Sequence, residues 1–140
     1  MAPNRSPYVL DFGEVTSPIV PTQIPGALNR LRVVDTRGGV YGWMLSATLS
    51  DFHSGDHTIA SSRLTLDPAC ASANPYSAPG VIDAGESTFA SPILLCAKDD
   101  QIGGGGSTGG EYDITGPMTL TIPSFQPTGE YMAVMTVFLA

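Results

Sequence analysis

Charge is what this sequence has least of. Only 14% of its 140 residues are Asp, Glu, Lys or Arg, against roughly a quarter in ordinary soluble domains. Lysine occurs once, as Lys98, beside Arg5, Arg30, Arg32, Arg37 and Arg63. These 6 basic residues against 13 acids leave a net charge of -7 and a pI near 4.4. A field of that sign with no Lys/Arg cluster excludes nucleic acid as a partner, and electrostatic docking on anionic lipid with it. Long apolar runs are missing too: none approaches the roughly 20 residues that span a bilayer as a helix, so no membrane insertion is expected.

Cysteine is scarce, with only Cys70 and Cys96. They form no CxxC and no Cys/His cluster, which removes a structural zinc site and a dithiol redox motif. Two readings stay open, a pair of buried thiols or one disulfide. Cys70 sits in the loop-like stretch Asp67-Pro68-Ala69-Cys70-Ala71-Ser72-Ala73-Asn74-Pro75, where a free thiol gains little burial, and this favours the disulfide. A bridge implies an oxidising compartment, hence an exported protein.

Helix-compatible stretches are equally rare, because 16 glycines and 12 prolines punctuate the chain and both residues are costly inside helices. Apolar residues are plentiful at 42%, with a mean hydropathy of +0.11, so a core can form. Short strand-like runs between Gly/Pro/Asn/Asp/Ser clusters mark an all-β chain. The expected fold is a single antiparallel β-sandwich of Ig-like or Greek-key type with long Pro/Gly-rich loops, one domain over residues 1–140.

Expected strands are Tyr8 to Phe12, Leu31 to Asp35, Trp43 to Phe52, Thr58 to Ala60, Leu64 to Leu66, Val81-Ile82, Ile93 to Ala97, Met118 to Ile122 and Tyr131 to Leu139. In the Trp43 strand, Trp43, Leu45, Ala47 and Leu49 share one face and Met44, Ser46, Thr48 and Ser50 the other, a period of two that buries one side. Pro18, Pro21, Pro25 and Gly26 mark an irregular connection, Gly55-Asp56 a turn, and Asp67 to Ser91 a long excursion. Gly103 to Gly110 reads as a flexible hairpin loop or linker. Tyr131 to Leu139, apolar on both faces, reads as an interior strand.

Leu31-Arg32-Val33-Val34-Asp35-Thr36-Arg37-Gly38, followed by Gly42-Trp43-Met44-Leu45 and Ser50-Asp51-Phe52, resembles the WxL domain of Gram-positive cell-surface proteins. That family has a Val-x-Asp-x-Arg-Gly turn running into Gly-Trp-x-Leu. Leu10-Asp11-Phe12-Gly13 is similar to its opening strand, and Leu120-Thr121-Ile122-Pro123 with Thr128-Gly129-Glu130-Tyr131 to its approach to a second WxL tripeptide. Val137-Phe138-Leu139 stands where that second tripeptide belongs, without its tryptophan. The cysteine pair and degenerate second motif look more like secreted actinobacterial variants. The resemblance implies a secreted or surface protein held non-covalently to cell-wall peptidoglycan.

The candidate ligand residues are Tyr41, Trp43, Asp35 and Arg37. Trp43 beside Tyr41 would form a stacking surface for sugar rings if exposed, and Trp43 alone is an ordinary core residue if buried. Asp35 and Arg37 are either a polar site or a turn cap in which the Asp accepts backbone N–H bonds and the Arg pairs with it. His53 and His57 flank a turn and share no helical face. Asp51 and Asp56 lack the alternation of a calcium loop, and Asp99-Asp100 reads as a solvated loop tip.

No nucleophile elbow, phosphate loop or carboxylate pair is present, so no catalysis and no cofactor are expected. The function expected first is a cell-wall glycan binding module. The alternative is a structural subunit that contacts other surface proteins or self-associates through an edge strand.

Overall fold

The computed structural model describes residues 10–37, 39, 41–73, 81–83, 85–99 and 109–140. Its strands are β1 (Thr22–Ala27), β2 (Leu31–Asp35), β3 (Trp43–Leu49), β4 (Phe52–Ser54), β5 (His57–Ile59), β6 (Leu64–Leu66), β7 (Ala69–Ser72), β8 (Val81–Asp83), β9 (Ser87–Thr88), β10 (Ile93–Lys98), β11 (Gly110–Thr115), β12 (Pro117–Ile122) and β13 (Met135–Leu139). Every ladder pairing among them is antiparallel. The fold is the expected all-β sandwich.

One layer is built from three chain segments that each pass through two sheets. Sheet order β1-β12-β6-β9 is continued by β2-β11-β7, so β1 leads into β2, β6 into β7 and β11 into β12. The breaks are held together: Leu28 N–H donates to the Gly116 carbonyl (2.8 Å) and Asp67 N–H to that of Pro117 (3.1 Å). Gly116 is required there, since a β carbon would come 2.5 Å from the Asp67 carbonyl oxygen. The facing layer is β13-β3-β10-β8. Between the layers Val33, Leu45, Ala47, Leu64, Leu66, Leu95, Tyr112, Ile114, Met118 and Leu120 are buried. Each large side chain of this kind contributes about 1.5–3 kcal/mol on burial.

Trp43, Leu45 and Ala47 face the core while Met44 is exposed, as the period of two requires. The run to Phe52 divides, however: β3 stops at Leu49, and Phe52 opens the β4–β5 hairpin across the Gly55-Asp56 turn, with Gly55 at φ +60°. Cys70 and Cys96 form a disulfide, Cα–Cα 5.8 Å, joining β7 of one layer to β10 of the other.

Several expectations are corrected. Of the supposed first strand, Tyr8 and Val9 lie outside the described residues, and Leu10 to Phe12 have no strand partner. Phe12 instead covers Gly26, where a β carbon would come 2.5 Å from its ring. Pro25 and Gly26 are strand residues of β1, an edge position where proline's missing N–H is tolerated. Cys70 is on a strand, not in a loop. The glycine-rich segment joins β10 to β11, which belong to different sheets and do not pair, so it is no hairpin; its residues 103–108 lie outside the described ones. Nor is the C-terminal strand interior. β13 pairs only with β3 and forms the sheet edge, leaving Val137, Phe138 and Leu139 exposed.

Candidate functional site

The four candidate ligand residues converge on one end of the sandwich and separate by burial. Asp35 closes β2 with its side chain turned inward, and Arg37 folds back onto it. Arg37 Nε donates to Oδ1 (2.9 Å) and Nη2 to Oδ2 (2.9 Å), and the backbone N–H of Arg37 also reaches Oδ1 (3.1 Å). The same guanidinium donates from Nη2 to the carbonyls of Tyr41 (2.9 Å) and Gly42 (3.1 Å). A buried carboxylate held by a planar fork with five donors fixes the approach to β3. Both residues are occupied in shaping the chain, which is the turn-cap geometry.

Trp43 is 7% exposed and Tyr41 62%. Trp43 packs in the core against Tyr112, ring centroids 5.3 Å apart at a tilt of 54°, a favourable aromatic geometry. The two-ring stacking surface with Tyr41 is therefore absent; Tyr41 stands on the surface without its neighbour. The indole donor carries an unusual feature: Nε1 of Trp43 is buried and has no hydrogen-bond partner among the described residues.

His53 and His57 are both exposed, and the β4–β5 register pairs His53 with Thr58 and His57 with Ser54, which puts the two imidazoles on opposite faces. Among the described residues no group of three or more His, Cys, Asp or Glu side chains gathers as a metal site would need. Asp51 accepts the Ser61 N–H (2.9 Å), a turn role. Asp99 is exposed, and Asp100 lies outside the described residues.

On the outer face of β2 and β11, Arg32 lies directly opposite Asp113 and binds it with two bonds, 2.7 and 3.1 Å, while Arg30 reaches the same carboxylate at 3.9 Å. The Arg32 hydrogen bond, partly opposed by desolvation, holds Asp113 below its ordinary carboxylate range. The same bond raises Arg32. This is a cross-strand pair of the kind that aligns register.

Two surface features escaped sequence reading. The first is a cleft of about 370 Å³ at the start of β3 and the end of β10, lined by Trp43, Met44 and Lys98 among others. A lone lysine ending an apolar run was the available signal. The second is the apolar exposure of the C-terminal segment, where Met132 and Val134, just before β13, and Val137, Phe138 and Leu139 within it are all accessible. The sequence shows these residues to be apolar, but their position at a sheet edge depends on pairing, which no local pattern encodes. No helix among the described residues is long and apolar enough to cross a membrane. No family model, curated protein or solved structure matches the chain.

Proposed function

We propose that this chain is a non-catalytic structural module of a secreted or cell-surface assembly, joining to copies of itself by strand addition at β13. The observation that carries this reading is the edge of β13, which no strand among the described residues covers. Met44 and Ala140 exchange both backbone hydrogen bonds (2.9 and 3.0 Å). Alternation then turns Phe138 and Thr136 toward β3, and the N–H and C=O groups of Met135, Val137 and Leu139 toward the open edge. No Lys, Pro or bulge guards it, the devices by which natural edges avoid pairing.

A second copy is the occupant that the charge distribution favours. The chain carries -7 overall, yet residues 131–140 contain no charged side chain. Two such strands meet antiparallel without the repulsion that other surfaces of the same molecule would bring. Their exposed apolar side chains cover one another, and each edge satisfies the other. The Cys70–Cys96 disulfide supports an oxidising, extracellular setting.

Sedimentation velocity over a hundredfold range of concentration tests the proposal. Concentration-dependent dimers or longer oligomers are expected, reduced to monomer by Leu139→Lys. A wild-type chain that stays monomeric throughout overturns it. The wall-glycan reading implied by the WxL resemblance now rests on exposed Tyr41 without tryptophan beside it. Retention on insoluble peptidoglycan by a monomeric protein, lost in Tyr41→Ala, would replace the assembly reading with that one.

A further inference from the structure

Lys98 is the only lysine of the chain and Trp43 its only tryptophan, and the β10–β3 register sets them directly opposite one another. Opposed residues of an antiparallel pair share a face, so Lys98 is drawn to the inner side of the sandwich with the indole. Lys98 is 3% exposed and Trp43 7%. Among the described residues no carboxylate lies within ion-pair distance of Lys98, and Trp43 Nε1 has no acceptor. A nearly buried lysine without a carboxylate partner and a buried N–H without an acceptor are both unfavourable inside a fold. Finding the two side by side, lining the same cleft of about 370 Å³, calls for a common reason.

We propose that this cleft binds a small monocarboxylate. One carboxylate oxygen accepts from Trp43 Nε1 and the other pairs with the Lys98 ammonium, both residues being in the cleft wall. A carboxylate is the group that satisfies a neutral donor and a cation together, through two charge-assisted bonds. The volume lies in the range of small-molecule sites. Asp99 at the rim and the net charge of -7 oppose a second negative charge on the ligand, which restricts the class to monoanions. The cleft adjoins the end of the C-terminal strand, since Ala140 lines it, but neither proposal depends on the other.

Trp43, as the sole tryptophan, reports on its own cleft. Titration with N-acetylglycine is expected to change its fluorescence saturably, while the neutral N-acetylglycinamide binds at least tenfold more weakly. Lys98→Met keeps the apolar stem, removes the charge and is expected to weaken N-acetylglycine at least tenfold. Trp43→Phe, followed by calorimetry, is expected to weaken it as well, since the ring is kept and the donor lost. Absence of a saturable response in the wild-type protein, equal affinity for acid and amide, or unchanged binding by Lys98→Met overturns the proposal. Should Lys98→Met fail to fold, Lys98→Gln and the acid-to-amide comparison decide between the same outcomes.

Discussion

Gly42 runs so close to the carbonyl oxygen of Lys98 that a β carbon at position 42 would overlap it. The obstacle is backbone, not a side chain that can swing aside, so any larger residue must push the start of β3 away from the end of β10. Gly42→Ala is expected to cost about 2–3 kcal/mol and to lower the thermal midpoint by roughly 10 °C. Gly39→Ala, with open space around the new methyl, is the matched control and should shift the midpoint little. Differential scanning calorimetry of the two variants checks the contrast.

The disulfide closes a loop with a sequence separation of 26. Loop-closure entropy assigns it about 3–4 kcal/mol. Replacing Cys70 and Cys96 together by Ala should lower stability by that order in urea titration, with the slope of the transition changed as the denatured chain loses its crosslink. Intact mass without reductant should lie two hydrogens below the sum of the free-thiol chain.

Asp113 titrates below its ordinary range because Arg32 holds its ionised form. A carboxylate depressed in the folded state adds stability that is complete above its unfolded-state value and is lost as pH falls through the folded-state value. Stability of the wild-type chain should therefore decline on the acid side of the usual carboxylate range. Asp113→Asn should be less stable at neutral pH by a small amount, as an exposed pair allows, with that difference disappearing in acid. Urea midpoints measured across the acid range in both proteins give the comparison.

Proline distinguishes the two sides of β13. Val137 turns its N–H to the open edge while Phe138 turns its own to β3. Val137→Pro should leave the monomer folded and abolish strand addition, since the lost donor serves only a partner. Phe138→Pro should instead break the β3 ladder and lower stability by more than about 1 kcal/mol. Circular dichroism melts together with sedimentation velocity separate these outcomes.

The strands that could be read from sequence are those with one wet face. β3 announced itself through alternation from Trp43 to Leu49, and β12 through Met118 to Ile122. β11 was missed because Gly110-Glu111-Tyr112-Asp113-Ile114 follows a glycine run and carries two acids, of which Asp113 pairs with Arg32, masking two deeply buried side chains, Tyr112 and Ile114. β1 was missed because Pro25 and Gly26 argue for a turn, and only an edge position with Phe12 lying over Gly26 makes them strand residues. Of the candidate site, the Asp35–Arg37 turn was legible because both partners lie two residues apart. The Trp43–Lys98 pairing was not, since 55 positions and a register shift between Leu94 and Cys96 separate it from any local pattern.

The bridge between β7 and β10 also governs what a protease can achieve. Residues 71–95 lie between the two half-cystines, so a single cut anywhere among them opens the backbone yet releases no fragment. The nicked molecule gains only the mass of one water, keeps both layers and every strand outside the severed loop, and separates into two pieces only after reduction. A protease working on the proline-rich stretch would thus leave a two-chain protein, held by one covalent bond, in the place of the original.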